Sequence, residues 1–172
     1  MKVFKLEELT VKQGEDQLQK LSTVYHSSMA LGCSLAVLVS VKKSGAPASI
    51  YLGVRRNLRQ KNSEAIENLD ISFKTLHEGM KSNFPGSQTS RIYASDDQQD
   101  TESLNYLLDG AFGDKMRTIT SASCVAALRD KSKTENKAFI QGIERFMDAM
   151  GDHVYTALFL ADPVSENDQA SI

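Results

Sequence analysis

The run "CSLAVLVSV" (33–41) leads through "KKSGAP" (42–47) into "SIYLGVR" (49–55). The first stretch is apolar, rich in β-branched residues and of strand length. The second is a Gly-, Ser- and Pro-containing turn, and the third is another strand. Two such runs across so short a polar link predict a β-hairpin over 33–55. A hairpin leaves an apolar face that other elements have to cover, so the flanking sequence is read for helices.

Upstream, Leu18, Leu21, Val24 or Tyr25, and Met29 recur at helical steps, which predicts a helix over 15–30 closed by Gly32. Downstream, Ile66, Leu69, Phe73, Leu76 and Met80 step by 3, 4, 3 and 4. That spacing lays one apolar stripe along a helix over 63–80. "NFPGS" (83–87) stops it, because Pro85 and Gly86 cannot continue a helix. Further on, "SRIYAS" (90–95) is a short strand and the polar "DDQQD" a loop. A helix over 101–112 carries Leu104, Leu107, Leu108 and Phe112. "RTITSASCVAAL" (117–128) reads as a strand. "RDKSKT" is a solvated loop in which Thr134 caps a last helix over 135–150, with Phe139, Ile143, Phe146, Met147 and Met150 on one side and Gly151 just past its end. "HVYTALFLA" (153–161) is nearly all apolar and is expected to lie centrally in its sheet. The sum is an α+β fold: a two-layer sandwich with a mixed or antiparallel sheet of about four to five strands. Its helices lie mainly on one face, 63–80 and 135–150 among them, with an N-terminal helix added. Residues 1–14 read as an N-terminal extension, 15–163 as a single domain, and 164–172 as a polar tail or the start of a linker.

The 172 residues are 24% charged and 41% hydrophobic, values that suit a buried core. The net charge of −2 implies no overall attraction to nucleic acid or anionic membranes. No apolar stretch approaches the roughly 20 residues that span a bilayer, and "MKVFKLEELT" has no signal-peptide core. A cytoplasmic location is expected. Cys33 and Cys124 both lie in apolar segments, where a thiol usually acts as a small hydrophobe; whether they pair is left open.

The candidates for chemistry are few. "ALFLADP" (157–163) resembles the metal-binding strand of a P-loop ATPase, which also needs the phosphate cradle G-x-x-x-x-G-K-[ST]. The Lys-Ser pairs here, Lys43-Ser44, Lys81-Ser82 and Lys131-Ser132, follow no glycine and open no helix behind a strand. Asp162 precedes Pro163 in a turn that ends a strand, so a structural role is expected for it. "HEGMK" (77–81) has Lys81 where H-E-x-x-H needs a second ligand, and His77 lies off the apolar stripe as a solvated helix residue. His26 reads as a surface or boundary residue and His153 as a turn residue. The two cysteines are 91 positions apart, which gives no metal-ligand spacing. No G-x-S-x-G occurs, and Asp96, Asp97 and Asp100 read as a solvated loop. No catalytic, cofactor or metal-binding residue is assigned. "VRRNLRQK" (54–61) is the one basic concentration, with Arg55, Arg56, Arg59 and Lys61 after a strand and before a helix. With no aromatic interleaved, it fits a solvated loop or protein contact better than nucleic acid. Phe84 within "NFPGS" is expected to anchor the turn to the core, with presentation to a partner as the other reading. Arg55, Arg56, Arg59, Lys61, Phe84 and Pro85 form the candidate interaction surface.

"LQKLSTVYHSSMALGCSLAVLVS", "SIYLGVR", "LHEGMKSNFPGS" and "FIQGIERFMDAMGDHVYTALFLADPV", in this order and spacing, resemble the N-terminal region of large bacterial ATP-binding proteins of the HerA/FtsK type. These are ring-forming motors related to the conjugation and secretion ATPases. The resemblance covers about residues 15–165 and includes no catalytic motif. It implies a domain that precedes the motor and serves in assembly, docking or substrate guidance, with the P-loop outside this chain. Other protein subunits, ring neighbours among them, are the implied partners, and no nucleotide-binding residue carries over. The alternative is a free-standing small accessory protein, or an enzyme with a site no motif reveals.

Overall fold

The computed structural model describes residues 1–14, 16–57, 65–94, 103–112, 120–122 and 143–163. The expected hairpin is its centre. β2 (Ser34–Val41) pairs antiparallel with β3 (Ser49–Arg55), running from Ser34 opposite Arg55 to Ser40 opposite Ser49. β1 (Lys2–Glu8) lies against the far side of β3, β4 (Gln88–Ile92) against β1, and β5 (Tyr155–Ala161) against β2. The result is a five-stranded antiparallel sheet in the order β4-β1-β3-β2-β5. With α1 (Gln17–Met29), α2 (Ala65–Asn83), α3 (Leu104–Phe112) and α4 (Ile143–Met150), the fold is α+β.

Strand alternation assigns the helices to the two faces. Leu35, Leu52, Val54 and Phe4 point to one side and form a core with Val24 of α1 and with Leu76, Met80 and Phe84 at α2 and its end. Phe146 of α4 meets Tyr155 and Phe159 edge-on. Those two residues pair with Val41 and Val37, which puts α4 on the same side as α1 and α2. Val3, Leu38 and Tyr51 point the other way and pack with Leu104 and Leu107 of α3. The helices therefore lie mainly on one face.

Local chemistry sets the element ends. The Asp16 carboxylate accepts the Gln19 N–H at 2.9 Å and caps α1. α2 runs to Asn83, and Gly86 takes a φ of 94°, the left-handed turn that sends the chain back into β4. Ser87 Oγ, just beyond, accepts the Thr10 N–H at 2.8 Å and ties this turn to the segment after β1.

Three expectations change. First, residues 1–14 contain β1, an inner strand of the sheet, rather than only an extension. Val3 and Phe4 are both fully buried, one on each face. Adjacent apolar residues flanked by lysines do not alternate as a half-buried strand does, so the pattern hides it.

Second, among the described residues β5 is the terminal strand and not a central one. Its apolar run has another cause, because helices cover both of its faces. Phe159 meets α4, while Leu158 packs against the core that includes Leu107 of α3. Third, His77 is buried, as described below. Of the expected strand 117–128 only residues 120–122 are described, and they form no strand; the Thr134 cap and the first turns of the last helix lie outside the described residues.

Candidate functional site

β1, β2 and β3 present one common end of the sheet, where Ser34 stands opposite Arg55 and Lys2 opposite the neighbouring Val54. Asp162 follows β5 at that same end. Its Oδ1 accepts the Ser34 hydroxyl at 2.5 Å and the Arg55 Nη2 at 3.1 Å. The acid that ends the "ALFLADP" strand thus fastens β5 to the start of β2 and the end of β3. Ser34 is fully buried, so its hydroxyl depends on an acceptor there. Arg55 and Asp162 are partly exposed, and such an ion pair contributes at most about 1 kcal/mol by itself. The ion pair itself therefore adds little, and the stronger dependence on Asp162 is that of the buried Ser34 hydroxyl.

Arg56 is exposed at the same end. Burial pushes the Met1 α-amino group below its ordinary value, and Lys2, Arg55 and Arg56 add to that effect. Arg59 and Lys61 lie outside the described residues.

Phe84 and Pro85 are elsewhere. They follow α2 and precede β4, whose Gln88 pairs with Glu8 at the opposite end of β1 from Lys2. Seven residues of strand separate the two ends by about 20 Å. Pro85 is exposed, but Phe84 is only 1% exposed. Its ring lies under the Lys20 ammonium, 5.9 Å from Nζ. Phe84 is thus a core anchor and cannot be part of a contact surface. The six candidates do not make one patch: Arg55 and Arg56 belong together, and Pro85 is remote from them.

His77, expected to be solvated, is 4% exposed. Its ring lies parallel to Phe73 at 6.3 Å and edge-on to Phe4 at 5.0 Å. Nε2 shares a 2.9 Å hydrogen bond with the Thr89 hydroxyl, linking α2 to β4. Nδ1 makes no hydrogen bond, and the Glu78 carboxylate is 3.4 Å away. Burial, reinforced by the charges of Lys81 and Arg91, holds the imidazole below its ordinary pKa against the opposing pull of Glu78. The ring is therefore neutral at pH 7 and serves packing. His26 and His153 are exposed, as the sequence suggested.

A cleft of about 390 Å³ opens beside the start of β1, between α2 and the end of β4. Met1, Phe73, Ile92, Ala94 and Leu104 give it apolar lining, Phe73 from the α2 side of the sheet and Ile92 and Leu104 from the α3 side, and Lys2, Asp70, Lys74, Arg91 and Tyr93 complete it. Lys2 is ion-paired with Asp70. Sequence reasoning missed this feature because its parts are scattered singly over β1, α2 and β4. Among the described residues no group of three His, Cys, Asp or Glu side chains could hold a metal ion. None of the described helices is long and apolar enough to cross a membrane.

No family model matches this chain, and neither the curated proteins nor the solved structures contain a match to it.

Proposed function

We propose that this chain is a non-catalytic interaction domain of a HerA/FtsK-type motor ATPase, working by docking to a partner, a ring neighbour or cargo. The supporting observation is the fate of Asp162. In a motor strand an acid at that position would be directed at a metal ion. Here its Oδ1 receives Ser34 and Arg55, and the carboxylate closes the end of the sheet. What this end of the sheet offers outward is positive charge, with Arg56 exposed beside the partly exposed Arg55. Exposed cations of this kind steer and orient an acidic partner surface more than they add affinity. The work assigned to the domain is contact through this end, with the motor chemistry carried elsewhere in a longer protein.

The test is the parent reading frame. A frame that continues past the codon for Ile172 into a G-x-x-x-x-G-K-[ST] segment is the expected result, and a stop codon at that point removes the motor from the reading. Docking is checked separately by sedimentation of the parent protein with Arg55 and Arg56 both changed to Glu. Assembly should weaken, and unchanged assembly would reject this end of the sheet as the contact.

A further inference from the structure

The geometry points to the cleft between α2, β1 and β4 as a binding site for a small amphiphilic anion: a flat apolar or aromatic body carrying one phosphate or carboxylate. Three observations carry this inference. The volume of about 390 Å³ falls within the range of small-molecule sites, which are typically apolar with a few placed polar groups. Phe73, whose ring is stacked on His77, supplies the apolar part on the α2 side, beside Lys74 and Arg91. An aromatic ligand can also lie against Tyr93, which is 68% exposed.

The charge supplies the rest. Among the described residues Lys2, Lys74 and Arg91 meet one acid in the lining, Asp70, and that acid is engaged by Lys2. Lys74 and Arg91 stand on different elements, α2 and β4, so an anion between them would be held from two sides. The fork of Arg91 suits a bidentate oxyanion and the Lys74 ammonium a point contact. This local excess of positive charge occurs in a chain whose net charge is −2. The acidic stretch 95–102 that connects Ala94 to Ser103 in sequence lies outside the described residues. The inference does not depend on the docking reading, and neither the reading-frame test nor the Arg55 and Arg56 variants bear on it.

The experiment is titration of the ¹⁵N-labelled chain with 1-naphthyl phosphate and 1-naphthoate, beside inorganic phosphate and 2-naphthol. Saturable shifts confined to Lys74, Arg91, Tyr93 and their neighbours are expected with one or both naphthyl acids. A dissociation constant of about a millimolar or below is the scale for a ligand of that size. Inorganic phosphate, lacking the ring, and 2-naphthol, lacking the charge, should bind at least about tenfold more weakly, because each keeps only half of the contact. Lys74→Ala and Arg91→Ala change exposed side chains, so folding should be retained, with circular dichroism as the check. Each should weaken naphthyl-acid binding by about tenfold, and raising the salt should weaken it further. The inference is overturned if no shift saturates, if the variants bind as the parent chain does, or if inorganic phosphate binds as well as the naphthyl acids.

Discussion

Replacing Gly53 with Ala should force β1 and β3 apart and destabilise the domain. Gly53 lies in β3 directly opposite Val3 of β1. A Cβ there would stand 2.2 Å from the Lys2 carbonyl oxygen, 2.5 Å from Val3 Cγ1 and 2.9 Å from Val3 Cα. The Val3 methyl can rotate away, but the other two atoms are backbone of an inner strand. Relief therefore requires β1 to move away from β3, which stretches the ladder hydrogen bonds between them. Forcing a methyl group into a packed interior costs about 1–3 kcal/mol, and a backbone obstacle puts this site at the upper end. The opposing term is the reduced freedom of the unfolded chain, about 0.4–1 kcal/mol in favour of Ala.

The net loss is about 2–3 kcal/mol, out of the 5–15 kcal/mol typical of a whole domain. In urea, with a slope of about 2 kcal/mol per molar, the midpoint should fall by about 1 M. Gly45→Ala is the control: its φ is +73° but nothing stands within 4 Å of the added atom. It should lose only the cost of the left-handed backbone, about 1–2 kcal/mol. A Gly53→Ala midpoint within about 0.3 M of the parent at unchanged slope, or a larger loss for Gly45→Ala, would refute the crowding argument.

Stability should fall as the pH drops below about 6.5, the ordinary His value. His77 titrates below that value when folded, so the unfolded chain binds the extra proton first. The slope cannot exceed about 1.4 kcal/mol per pH unit for one group, and His77→Phe should flatten it in pH-dependent urea melts. A slope that survives the substitution assigns it to other groups. Glu7 is held below its ordinary range by the Ser90 hydroxyl and Lys5, so its contribution is present above about pH 4.5 and is lost only in more acid solution. Asp162→Ala removes the acceptor of the buried Ser34 hydroxyl and should cost about 1–3 kcal/mol by thermal or chemical melting. A change within error would mean that the strand ends do not depend on this carboxylate. Phe84→Ala empties a fully buried site between α2 and the sheet and should cost about 3–5 kcal/mol. A loss below about 1 kcal/mol would show that the turn is not anchored there.

The elements that were legible in the sequence share one property: their evidence is local. The hairpin 33–55, the stripe along α2 and the glycine after α4 are each recognised within one stretch of chain. Gly151 donates its N–H to the Met147 carbonyl as a C-terminal residue should. Positions within the sheet are not local. β1 was hidden because Val3 and Phe4 serve opposite faces. β5 looked central because helices contact both of its faces, an arrangement that an apolar run cannot distinguish from two strand neighbours. His77 is the same problem within a helix. The stripe marks the face that packs on the core, but α2 is also flanked by α1, which lies beside it on the same face of the sheet. A Cβ on Gly79 would stand 3.1 Å from a Val24 methyl, which measures how closely α1 approaches. The buried arc of α2 is wider than its stripe, and His77 falls on its other flank, where Phe4 of β1 and Thr89 of β4 cover it.

The site follows the same logic with charge in place of hydrophobicity. "VRRNLRQK" displays a run of cations, but sequence cannot say which of them the fold uses internally. Arg55 turns to Asp162, over a hundred positions away in the chain, and becomes a strand fastener; Arg56 beside it stays exposed. The cations that surround the cleft come singly: Lys2 from β1, Lys74 from α2 and Arg91 from β4. None belongs to a basic run, so no window along the chain would have marked them. They come together only because β1 inserts between β3 and β4, which brings the start of β1 beside the end of β4. The strand that the sequence concealed is therefore also the one that builds the cleft, and both were missed for one reason. Charge gathered by strand register is invisible to a reading of neighbours in sequence.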